Sequence, residues 1–141
     1  MTRALTTAAA GLLALSLATT SASAQKAEDA VGVWLNPDNG SNIEFYKCGD
    51  GVCGKIVKVT DGQKTDDKNP DAAKKNRPIV GLVIMQGAKK TGDNKWEGSL
   101  LNTDNGNTYK GYVTLEGSGL NLQGCALGGI VCTGETWQRV K

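Results

Sequence analysis

The chain contains no histidine, and that absence excludes more chemistry than any residue present establishes. Imidazole is the side chain whose ordinary charge change falls near neutral pH, the usual general base and a common metal ligand. Ser-His-Asp and Cys-His catalysis are therefore out of reach, as is a mixed Cys/His zinc site. Arginine is nearly as scarce, limited to Arg3, Arg77 and Arg139. With 16 Lys and Arg against 14 Asp and Glu, the net charge is +2. There is no basic field for nucleic acid and no polybasic run for anionic lipid. Beyond residue 24 no apolar stretch is long enough to span a bilayer.

The one apolar run that exists lies at the start. Arg3 precedes "AAAGLLALSLA" (Ala8–Ala18), and "ASA" at Ala22-Ser23-Ala24 has the small-x-small form of a signal peptidase site. Residues 1–24 are expected to be a signal peptide cut after Ala24, with residues 25–141 as one domain in the periplasm or outside the cell. No cysteine follows the cut to carry a lipid anchor.

Cysteines come as two pairs, "CGDGVCG" (Cys48–Gly54) and "CALGGIVC" (Cys125–Cys132). Gaps of four and six residues are wrong for paired zinc ligands or a thioredoxin-like couple. Exported chains meet oxidising conditions, so disulfides are the reading. Of three possible connectivities, Cys48–Cys53 and Cys125–Cys132 are favoured, because each closes its own short loop.

Strand signals recur at short intervals. "VGVWL" (Val31–Leu35) is followed by "NIEFYKC" (Asn42–Cys48), then "CGKIVKV" (Cys53–Val59). After a long polar connection, Thr60–Pro78, come "GLVIMQG" (Gly81–Gly87) and, past the turn "AKKTGDN", "KWEGSLLN" (Lys95–Asn102). "TYKGYVTLEG" (Thr108–Gly117), "GLNLQGC" (Gly119–Cys125) and "ETWQRV" (Glu135–Val140) complete eight. No helix longer than a turn, at Asp71–Lys75, is expected. An all-β meander of eight antiparallel strands hides its edges by closing into an up-and-down barrel, with a small β-sandwich as the alternative.

Candidate site residues follow from this layout. "NPDAAKKNRPIVGL" (Asn69–Leu82) carries Asp71, Asn76 and Arg77, which could present a carboxylate, an amide and a guanidinium at the barrel mouth. Equally, they could only tie the loop down, with Pro70 and Pro78 stiffening it. The preceding Thr60–Lys68 is polar without apolar anchors and predicts a mobile stretch. Asp67, Asn69 and Asp71 alternate as in a calcium loop, but Ala72 and Pro78 stand where the glycine and glutamate belong, which rejects an EF-hand. Trp96 and Tyr109 could line an interior, although core packing explains them as well. Asp50, Asp61, Asp93 and Asp104 sit in turns for backbone reasons. Glu44, Glu97 and Glu116 read as outward strand positions. No catalytic, cofactor or metal residue is assigned, and the chain reads as a non-enzymatic, monomeric binder.

Two resemblances add to this. Gly32-Val33-Trp34 on the first strand and Arg139 on the last resemble the calycin superfamily, the lipocalins and their relatives. That likeness implies Arg139 packed over Trp34 where the barrel closes, a contact with a sound cation–π basis. One departure stands out: the long connection follows the third strand rather than the first. More closely, "GVWL", "YKCGDGVCGKIV", "NPDAAKKNRPIVGL", "GYVTLEG" and "CALGGIVCTGETWQRV" resemble the bacterial exported family called domain of unknown function 2147. It implies export and a small β domain but no activity. Two function classes remain: a carrier or sensor of a small apolar ligand, or a protein-binding module such as a periplasmic hydrolase inhibitor. A structural envelope protein is a third reading.

Overall fold

The computed structural model describes residues 25–60 and 62–140, so the leader expected over residues 1–24 lies outside them. Alternating side chains build eight strands: β1 (Gly32–Leu35), β2 (Asn42–Cys48), β3 (Gly51–Lys58), β4 (Val83–Gly92), β5 (Lys95–Leu101), β6 (Thr108–Glu116), β7 (Gly119–Ala126) and β8 (Val131–Arg139). Each strand pairs antiparallel with the next, and β8 returns to β1 through Trp34 opposite Arg139 and Leu35 opposite Gln138. The sheet is therefore a closed barrel with no free edge. One turn of helix, α1 (Ala27–Ala30), precedes it.

Period-two patterning decides which way each strand faces. Ile43 and Phe45 of β2, Val113 and Leu115 of β6, and Leu120 and Leu122 of β7 are buried, while their neighbours reach outward. Two strands run further than their sequence suggests. β4 continues through Ala88–Gly92, and only Asp93 and Asn94 turn the chain. A register shift between Gln86 and Lys89 lets the strand carry two exposed lysines while Ala88 stays buried, which breaks the alternation that would mark it. β8 starts at Val131, whose exposed apolar side chain also hides the pattern.

Both cysteine pairs are disulfides, Cys48–Cys53 and Cys125–Cys132, and no described cysteine is free. Cys125 and Cys132 stand directly opposite in the β7–β8 ladder. The other bond differs from a simple four-residue loop. Cys48 pairs with Gly51 across the two-residue turn Gly49-Asp50, and Cys53 lies opposite Tyr46, so the bridge runs diagonally. Gly49 has φ of 61°, the left-handed conformation such a tight turn needs.

The barrel has two unlike ends. At one, α1 and the short turns at 49–50, 93–94 and 117–118 gather over a core of Trp34, Trp96, Leu115 and Leu120, each at most 4 % exposed. At the other, the connections 36–41, 59–82, 102–107 and 127–130 surround a mouth.

Candidate functional site

Below that mouth lies a cavity of about 600 Å³, within the range of sites that take small molecules. Its strand walls carry aliphatic side chains interrupted by Thr133 and Glu135. Ile43, Ile56, Ile84, Leu100 and Leu122 project from five different strands, and Trp137 of β8 closes the depth. Polarity is concentrated at the rim, where Asn36, Asp38, Asn102 and Asp104 stand with the Tyr109 side chain.

Two of the rim loops are copies of one another. "NPDNGS" (36–41) and "NTDNGN" (102–107) join β1 to β2 and β5 to β6, strands four places apart around the barrel. In each, the first asparagine side chain accepts from the aspartate N–H, at 2.9 Å for Asn36–Asp38 and 2.8 Å for Asn102–Asp104. In each, the glycine N–H donates to the first asparagine carbonyl, at 2.9 and 2.8 Å. These local bonds fix the turn and present Asp38 and Asp104 at equivalent positions on opposite sides of the mouth.

One acidic residue stands inside rather than on the rim. Glu135 faces Leu122 in the ladder and shares the inward face of β8 with Trp137. Burial in the apolar wall pushes its carboxyl up to about 7, and the hydrogen bond and negative charge of Asp38 push the same way. Glu135 thus keeps its proton to a much higher pH than an ordinary carboxyl does. Deeper on the same strand, the Trp137 indole Nε1–H is buried without an acceptor.

The long connection forms one side of the mouth and is pinned by a buried carboxylate. Asp66 is fully buried, and its Oδ2 accepts from Arg77 Nη2 at 2.7 Å, Arg77 Nε at 2.9 Å and Asn69 Nδ2 at 2.7 Å. Backbone bonds from Asp66 N–H to the Arg77 carbonyl, 3.1 Å, and from Ile79 N–H to the Lys64 carbonyl, 3.0 Å, draw the two limbs together. Gln63 donates to the Thr103 carbonyl at 3.2 Å and, with Ile79, reaches the cavity. Gly106, at φ of 74°, packs so closely on the Lys68 carbonyl that a Cβ there would collide with it. The first half of this connection is therefore anchored, contrary to what its polar sequence suggests. The anchor is a buried carboxylate held by a half-buried arginine, which carries no hydrophobic signature.

The sequence-predicted residues are divided by the structure. Tyr109 lines the cavity, its hydroxyl accepting from Asn105 Nδ2 at 3.0 Å. Trp96 is wholly buried in the core and does not line it. Asp71 is exposed and caps the 3-10 turn Ala72–Lys74 by accepting from Ala73 N–H at 3.0 Å. That bond and Lys74 hold its carboxyl below the usual range. Asn76 is exposed on the loop, and Arg77 points to Asp66 rather than into the cavity. Nor do Asp67, Asn69 and Asp71 converge as cation ligands, because Asn69 turns inward to Asp66. Asp38, Asp66 and Glu135 were not singled out by the sequence reading. Only Glu135 carried a usable signal, its two-residue spacing from the inward Trp137.

At the opposite end, the Arg139 guanidinium lies 4.2 Å from the centre of the Trp34 ring. Its Nη1 and Nη2 donate to the carbonyls of Val31 and Asp29 at 2.6 and 2.7 Å, while Trp34 Nε1 donates to the Ala30 carbonyl at 2.9 Å. Arg139 thereby ties α1 across the barrel's closed end.

A closed eight-stranded antiparallel barrel with a cavity at one end and an arginine over the first-strand tryptophan at the other is a lipocalin-like fold. Residues 32–139 match the family described as uncharacterized proteins conserved in bacteria, domain of unknown function 2147, and the chain belongs to it. A solved structure titled "Protein HP1028 from the human pathogen Helicobacter pylori belongs to the lipocalin family" is similar in fold. It has a TM-score of 0.69 and 22% identity over 79% of this chain and 83% of that one. No curated protein matches the chain. No helix among the described residues is long and apolar enough to cross a membrane.

Proposed function

We propose that this is an exported, monomeric, non-enzymatic binding protein that holds one small, largely apolar ligand inside its barrel. The observation that carries this reading is the 600 Å³ cavity, with aliphatic side chains on its walls and polar ones at its mouth, the usual chemistry of a small-molecule site. Export is supported by the leader-like residues 1–24 and by the two disulfides. The absence of histidine from the sequence supports binding over catalysis. Tyr109 and the two Asn-x-Asp-Asn-Gly loops meet the ligand at the mouth, while Arg77 and Asp66 brace the wall.

Native mass spectrometry of the protein, isolated gently from the cells that make it, tests this. A discrete added mass of small-molecule size, lost on denaturation, is the expected result. Bare protein that also binds no added hydrophobic probe would overturn it.

A second reading has its own observation. Leu127, Ile130 and Val131 are 75, 83 and 51 % exposed at the β7–β8 tip, beside the mouth. An exposed apolar tip is what a protein-binding module would present. In that case native mass spectrometry would show a protein partner, and Leu127→Ser with Ile130→Ser would release it.

A further inference from the structure

The charges around the cavity are one-sided. Asp38, Asp104 and Glu135 line it, and among the described residues no lysine or arginine does. Two of these carboxylates are displayed by the matching rim loops, and the third rises from the wall two residues above Trp137. A ligand carrying a carboxylate or phosphate would enter against like charge, a repulsion stronger between protein walls than in bulk water. A wholly apolar ligand would fill the walls but leave the Asp38–Glu135 pair desolvated without compensation.

We propose that the cavity selects an apolar molecule bearing a protonated amine, with the ammonium held between Asp38 and Glu135 and the apolar body among Ile43, Ile56, Leu100 and Leu122. This rests on the reading of the cavity as a ligand site and adds the ligand's chemical class. An ammonium supplies three donors and one positive charge. It therefore takes the place of the proton on Glu135 and donates to both carboxylates. Binding releases that proton to solvent, so it is coupled to pH.

The groups that face Glu135 set the direction. Asp38 approaches from the β1–β2 loop, Asp104 and Tyr109 stand across the mouth on the β5–β6 loop and β6, and its β7 neighbour in the ladder is Leu122. None of these is cationic. As pH falls below the range where Glu135 ionises, near 7, the proton competes with the ammonium and amine affinity declines.

Three probes of one chain length separate the claims: nonylamine, 1-nonanol and nonanoate, titrated calorimetrically into the full protein at pH 8 and pH 5. The amine is expected to bind at least about tenfold tighter than the alcohol at pH 8, as a charge-assisted hydrogen bond warrants. That advantage should shrink severalfold at pH 5, and nonanoate should bind weakest. In Glu135→Gln the amine-to-alcohol ratio should collapse toward one, and in Asp38→Asn it should fall part of the way. Thermal melts establish that each variant is folded, and Asp38→Asn carries the test if Glu135→Gln is not. Saturable alcohol binding with no preference for the amine, or a preference for nonanoate, would overturn the proposal while leaving the cavity reading intact. Failure of all three probes would overturn both.

Discussion

Replacing Arg77 with alanine probes the least expected feature of the structure, a carboxylate buried under a surface loop. Asp66 is 0 % exposed, and Arg77 supplies two of the three hydrogen bonds to its Oδ2. Asp66 Oδ1 has no partner among the described residues. Removing the guanidinium therefore leaves a buried charge held by Asn69 alone. Breaking a fully buried pair costs about 3–5 kcal/mol. Because the Arg77 side chain is 36 % exposed, water reaches its place and screens part of that loss, leaving about 2–3 kcal/mol. For a domain of this size each kcal/mol moves Tm by roughly 3–5 °C, so calorimetry should show a fall of about 10 °C. Adding Asp66→Asn to Arg77→Ala removes the stranded charge and should recover about half of the loss. Nonanol affinity should change by no more than about twofold, since Arg77 does not line the cavity. A melting temperature within about 2 °C of wild type would refute the brace, and weakened binding at unchanged Tm would make the loop a lid.

Other outcomes follow from the same geometry. Arg139→Ala removes the stacking on Trp34 and two donors to the carbonyls of Val31 and Asp29. Chemical denaturation should show a loss of about 1–3 kcal/mol. Cys48→Ala with Cys53→Ala should cost about 2 kcal/mol in the chain-entropy picture, and the same treatment of Cys125 and Cys132 slightly more because its loop is longer, measured by urea titration. Glu135 gives a pH signature. Its folded value, about 7, lies above the ordinary 4.5, so the folded state holds more protons between those values and stability falls as pH rises through that window. At 1.36 kcal/mol per unit the full shift would be about 3 kcal/mol, and water in the open cavity reduces it to about 1–2. Glu135→Gln should flatten that fall and melt higher than wild type at pH 8. A wild-type stability that rises between pH 5 and 7.5 would contradict the assignment.

The barrel was legible because its signals are local. Alternation in "NIEFYKC" and "GYVTLE", and turns such as Gly117-Ser118, each point to a strand or its end without reference to the rest of the chain. Closure was legible through Trp34 and Arg139, an uncommon pair at the two ends of the domain. What stayed hidden depends on contacts distant in sequence. Asp66 sits in a run of polar residues that reads as solvated, and its burial follows only from Arg77 folding back eleven positions later. Asp104 read correctly as a turn residue, yet the likeness of "NPDNGS" to "NTDNGN" acquires meaning only when the barrel sets those loops on opposite sides of one mouth. Glu135 was within reach, since the phase of Trp137 turns it inward, but its weakened acidity depends on burial in the wall and on Asp38 in the loop after the neighbouring strand β1.

The central claim is that the barrel's interior receives a ligand, and Gly124 allows it to be tested directly. Gly124 lines the cavity, and the atoms nearest to a Cβ there belong to the Leu100 and Tyr109 side chains, at 3.5 Å and beyond. Gly124→Phe therefore fills the space without displacing backbone. Titration of 1-nonanol, followed by tryptophan emission because Trp137 forms part of the wall, should show saturable one-to-one binding in the wild type. It should show a loss of at least about tenfold in a Gly124→Phe protein that still melts cooperatively, since the added ring takes the volume the probe needs. Equal binding by the two proteins, or none by the wild type, would contradict the account.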